Sequence, residues 1–159
     1  MDTNNPVVRL CADGMRAEAD GRADDARALF ERAWAEASDD YESCVAAHYL
    51  ARHQPTIADE LHWNQVCLDL ADAVTTSVGP LASAVAAFYP SLHACLARCH
   101  RELGDLDTAA THYRRAADHL DALPPGPYAD ELRFAVADGL HSVGSPGPDA
   151  AHRATDATG

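Results

Sequence analysis

Residues 14–37 read GMRAEADGRADDARALFERAWAEA, and residues 97–120 read ARCHRELGDLDTAATHYRRAADHL. Gly14 is followed at +7, +12, +16 and +19 by Gly21, Ala26, Phe30 and Ala33. Ala97 is followed at the same four offsets by Gly104, Ala109, Tyr113 and Ala116. Each stretch predicts two helices joined at a glycine turn. A small residue on the first helix lets the second cross closely, a small residue on the second accepts the contact, and the aromatic fills the gap beside it. Started from His48, the same offsets reach Pro55, Glu60, Asn64 and Cys67. His48 lies 34 residues after Gly14 and 49 before Ala97, so a middle repeat fits with fifteen residues inserted after it.

This spacing resembles that of the tetratricopeptide repeat family. The resemblance covers residues 7–40, 41–74 and 90–123, with 75–89 as the insertion. It implies an all-α, right-handed solenoid of three helical hairpins within a domain spanning 1–143. The large aromatic that the family carries early in the first helix is absent from both well-matched stretches. The segments AAHYLARHQ (46–54), WNQVCLDLADAV (63–74) and FYPSLH (88–93) are similar to small bacterial proteins of this repeat type without an assigned activity, some of which carry methyltransferase names. No cofactor-binding motif in this chain supports such a name, and no cofactor is expected.

Helical patterns run over about 6–20, 23–37, 40–53, 56–76, 81–103, 106–122 and 127–142. The punctuation between them has local causes. Gly21 ends one pattern and Asp24 is expected to cap the next; Ser38 and Asp39 do the same for the third. Pro55 belongs in a first turn or just before it. Pro90 falls inside the fifth pattern and should kink or split it. The helix over 127–142 is expected to cap the open end with Leu132, Phe134, Val136, Leu140 and Val143. Residues 1–5 read as a frayed start. Residues 144–159, small, polar and proline-bearing, read as a disordered tail.

The formal net charge is −13, from 25 acidic and 12 basic residues, and every base is arginine. Such a chain repels nucleic acid and anionic membranes, so neither is an expected partner. The five cysteines lie in apolar helical stretches and read as buried free thiols. There is no charged segment leading into a signal-like apolar run, and PLASAVAAFYP (80–90) is too short to span a membrane. A cytoplasmic protein is expected.

The middle repeat departs from the small-residue rule twice. His48 replaces the small residue of the first helix and Glu60 that of the second. Facing polar substitutions in a crossing suggest a hydrogen-bonded His48–Glu60 pair, which would raise the histidine's proton affinity and fix its ring. The concave face of a repeat solenoid takes partners. Here it collects Tyr49, Arg52, His53, Arg98 and Arg101. These predict a binding module for a protein or peptide with an acidic segment or free carboxylate, since an arginine fork holds a carboxylate with two parallel bonds. The family resemblance points the same way, because some members clamp the terminal carboxylate of an extended peptide, although their lysine and asparagine placements are not matched here.

An alternative is a pocket for an anionic small molecule, or a catalytic one, around His48, Glu60, Trp63, Asn64, Tyr89, Ser91 and His93. His48 beside Glu60 has the form of an oriented general base, with Cys44 one turn earlier. A third reading is a homodimerisation module built on the insertion. No Cys-x-x-Cys, His-Glu-x-x-His, glycine-rich phosphate loop or nucleophile elbow occurs, so no metal site is expected and enzyme activity is the lesser expectation.

Overall fold

Asn5 opens the first helix by accepting the Val8 amide on its side chain at 3.0 Å. Pro6 follows at the position where its missing N–H costs nothing. In the computed structural model, which describes residues 4–76 and 80–144, the chain runs through α1 (Pro6–Ala19), α2 (Ala23–Glu36), α3 (Asp40–Leu50), α4 (Ile57–Thr75), α5 (Pro80–Ala86), α6 (Tyr89–Glu102), α7 (Leu106–His119) and α8 (Pro127–Gly144). Single 3-10 turns, Ala51–His53 and Leu120–Ala122, extend α3 and α7. The described residues form helices and their connections, with no strand.

Caps account for most boundaries. Asp39 accepts the Glu42 amide at 2.8 Å, Thr56 the Asp59 amide at 3.1 Å and Asp105 the Thr108 amide at 3.1 Å. Two positions differ from expectation. Asp24 lies inside the first turn of α2; Arg22 holds the cap position and offers no side-chain acceptor. Asn5 is not frayed, because its amide also donates to Glu42 at 2.6 Å and ties the start of α1 to α3. Ser38 binds Glu42 with both its amide and its hydroxyl, and these bonds with Asn5 hold the Glu42 carboxyl below its usual range. The expected break at Pro90 is a full separation: α5 ends at Ala86 and α6 begins at Tyr89. The expected disordered tail lies outside the described residues from position 145 onward, as do residues 1–3 and, within the insertion, 77–79.

The principal packing partners are α1 with α2, α3 with α4, and α6 with α7; α2 packs on α3, α4 on α6, and α8 on both α6 and α7. Gly21 and Gly104, seven residues after Gly14 and Ala97, are the described residues with positive φ, at 75° and 87°. Both make the turn between paired helices. At Gly14 a Cβ would collide with the ring of Phe30, which is fully buried. Ala26, Ala33, Ala97, Ala109 and Ala116 are all fully buried, so the small residues do lie at close approaches.

The largest apolar cluster runs from Val7, Val8 and Cys11 through Phe30, Val45 and Leu50 to Cys67, Ala71, Val85 and Leu92. A well-buried side chain of this kind contributes about 1.5–3 kcal/mol. In α8 the inward residues are Ala129, Val136 and Gly139. Phe134 does not join them: two residues from Val136 is about 200° around a helix, and the ring is 76% exposed.

Candidate functional site

Helices α3, α6 and α8 bound a cleft of about 490 Å³. Helix α3 and its 3-10 extension bring His48 and Arg52. Helix α6 brings Ser91, Ala94, Cys95, Arg98 and Arg101, and α8 brings Tyr128, Leu132, Phe134, Ala135 and Asp138. Tyr113 reaches in from α7. Its ring packs so tightly on Gly139 that a Cβ there would collide with it.

The three arginines differ in what already holds them. Arg52 pairs with Glu18 at 2.8 Å and lies over the Tyr49 ring, 5.2 Å from its centroid. Arg98 is held by Glu60 and, at 2.8 Å, by Glu102. Burial opposes its charge, but the bonds to those two carboxylates more than offset this and raise its pKa. Arg101 donates to the Ser142 hydroxyl at 3.1 Å and has no ion pair among the described residues.

His48 differs from the sequence expectation. Glu60 is turned to Arg98, and the predicted His48–Glu60 pair does not form. The His48 ring stacks on Phe88 at 4.7 Å and meets Tyr49 edge-on at 5.2 Å. Its Nδ1 is buried without a hydrogen-bond partner. An unpaired buried lone pair costs less than an unpaired N–H, so the neutral ring carries its proton on Nε2. Burial, with the charge of Arg52, pushes its pKa down to about 4, the opposite direction from the one expected. Without a carboxylate to orient it, His48 is not set up as a general base. Cys44 is occupied as well: its sulfur is 3.8 Å from that of Cys67, and both are fully buried. All five cysteines are free thiols.

Tyr49 and His53 stand outside the cleft. Tyr49 is buried and stacks on Phe30 at 5.4 Å. His53 bonds Glu18 at 2.8 Å and packs on Phe30 at 5.1 Å. The residues of the alternative pocket disperse. Ser91 lines the cleft with His48. Trp63 packs edge-on against Trp34 at 4.9 Å, and the Asn64 amide donates to the Glu60 carbonyl at 3.0 Å.

Tyr89 and His93 belong to a second, shallower depression of about 440 Å³ with Leu68, Asp72, Arg115 and His119. There the Tyr89 hydroxyl bonds Asp72 at 2.6 Å. His93 and His112 are buried with their Nδ1 atoms 3.0 Å apart, one donating and one accepting. Burial pushes both down to about 4. No group of three or more His, Cys, Asp or Glu side chains among the described residues is placed to hold a metal ion. No helix among them is long and apolar enough to cross a membrane.

Sequence reasoning missed the α8 and α7 walls of the cleft. One signal was available in α8: Phe134 is out of register with Leu132, Val136, Leu140 and Val143, so a large aromatic was bound to stand off the packed face. Nothing in the repeat pattern marked Tyr113 as facing a cleft.

No protein-family model, no curated protein and no solved structure matches this chain.

Proposed function

We propose that this chain is a binding module that takes a carboxylate-bearing ligand with an apolar body in the cleft between α3, α6 and α8. The observation that carries the proposal is Arg101, a cleft arginine without a carboxylate partner among the described residues of a chain with net charge −13. The other two arginines are already engaged, Arg52 by Glu18 and Arg98 by both Glu60 and Glu102. The cleft therefore favours one anionic group rather than a run of them. Its remaining walls are largely apolar or aromatic, and its volume lies in the range of small-ligand sites. Phe134 and Tyr128 at the rim, 76% and 57% exposed, favour a second reading in which the ligand is the acidic or carboxylate-terminated segment of a larger protein partner.

The reading of the paired helices as three tetratricopeptide-like repeats in a right-handed solenoid, closed by α8, belongs to the same proposal. It is supported by the positive-φ glycines at matching positions and by the packing of Phe30 on Gly14. Calorimetric titration with 3-phenylpropionate tests the ligand class. Saturable binding that weakens with added salt and at least tenfold on Arg101→Gln is the expected result. Equal affinity in wild type and variant would remove the assignment.

A further inference from the structure

The cleft contains an unpaired anion as well as an unpaired cation. Asp138 of α8 lines it, and its carboxylate makes neither a hydrogen bond nor an ion pair with another described residue. Arg101 of α6 faces the same space. No ion pair joins the two, and both act on the Tyr113 hydroxyl. Burial raises the pKa of that phenol; Arg101 and Arg98 pull it down, and Asp138 pushes it up. Tyr113 is itself buried to 4% exposure, and its hydroxyl has no hydrogen-bond partner among the described residues. A positive group, a negative group and a phenol hydroxyl free to bond a ligand thus border one space, next to the apolar surface of Leu132 and Phe134.

We infer that the cleft's ligand is a zwitterion, a free α-amino acid with an apolar side chain, its carboxylate on Arg101 and its ammonium on Asp138. The inference rests on the proposed carboxylate-binding role of the cleft and adds the second charge. An α-amino acid carries its ammonium and its carboxylate on one carbon, and the cleft places a cation and an anion around the same phenol. The Tyr113 hydroxyl can donate to the carboxylate, or accept from the ammonium. The apolar side chain lies on α8. An anion without an ammonium leaves Asp138 facing the ligand's carboxylate, which is repulsive, and this discriminates against simple carboxylates and acidic segments.

The test compares two ligands that share a body and a carboxylate and differ in the ammonium. Calorimetric titration of the full chain at pH 7 with L-phenylalanine and with 3-phenylpropionate is expected to give at least tenfold tighter binding of the amino acid. Asp138→Asn should abolish that advantage while leaving 3-phenylpropionate bound as well or better. Arg101→Gln should weaken both. Both side chains reach solvent, and circular dichroism of each variant checks that the helices are intact. If 3-phenylpropionate binds wild type as tightly as L-phenylalanine, the zwitterion assignment is overturned and the carboxylate site stands. If neither ligand binds, both are overturned. An amino-acid preference that survives Asp138→Asn overturns the role given to Asp138.

Discussion

The ring of Phe30 fills the space beside Gly14 so closely that a Cβ added to the glycine would come within 2.3 Å of a ring carbon. Phe30 has little room to retreat, because it stacks on Tyr49 at 5.4 Å and packs on His53 at 5.1 Å. Gly14→Ala gains up to about 1 kcal/mol of helix propensity. Overpacking of a fixed ring costs about 1–3 kcal/mol. The variant should therefore unfold at lower urea concentration than wild type. Gly139→Ala, which drives a methyl into Tyr113, should behave the same way and also disturb the cleft.

Gly21 and Gly104 give a contrasting expectation. A Cβ at either position meets no atom within 4 Å, but φ is 75° and 87°. Alanine there is penalised by backbone conformation alone, at about 1–2 kcal/mol each. Because the two turns are far apart in sequence and share no contact, the double variant should lose the sum of the two single losses. A marked departure from additivity in urea melts would show that the turns are coupled.

Three histidines, His93 and His112 buried and His48 half-buried, set the acid limit of stability. His48, His93 and His112 are each pushed from 6.5 to about 4 in the folded chain. The unfolded chain then binds more protons than the folded one between those values, so stability falls as pH drops from 6.5 toward 4. The lowered carboxyl of Glu42 adds a further loss as pH falls through its range. Urea midpoints measured at pH 7, 6 and 5 should decline in that order. His48→Leu should flatten the decline, because it removes a buried group that costs more to protonate in the fold than out of it. A midpoint that does not change over this interval would contradict the burial of these rings.

Much of the fold was legible because it rests on local chemistry. Asp39 as a cap, Gly21 and Gly104 as turns and Pro90 as a break are read directly from the sequence, whereas the caps at Asn5, Thr56 and Asp105 are not. The site was legible only in part. Arg52, Arg98 and Arg101 share a cleft as the register implied. Tyr49 and His53 do not line it, because Phe30 draws both rings inward, and Glu18 takes the His53 nitrogen. Register identifies the face on which a side chain starts; it does not say which of several neighbours a long side chain will choose. Glu60 is taken by Arg98, and burial leaves the His48 ring uncharged, so the two have no charge pairing to make.

The hold of Glu60 on Arg98 can be removed by substitution. Glu60→Gln removes one of the two carboxylates that hold Arg98, leaving Glu102. The cleft loses one negative charge, and its affinity for 3-phenylpropionate should rise severalfold at low salt, with the gain fading as salt is added. Unchanged affinity at low salt would mean that Arg98 does not contribute to the field a ligand meets.

The central claim is that Arg101 receives the ligand's carboxylate. Each of the chain's twelve arginines carries an Nε–H group that nuclear magnetic resonance can follow individually. During titration with 3-phenylpropionate the Arg101 signal should shift, saturate and be lost from the spectrum of Arg101→Gln. Small unsaturating shifts spread evenly over exposed arginines such as Arg9, Arg16 and Arg27, with Arg101 no different from them, would contradict the account.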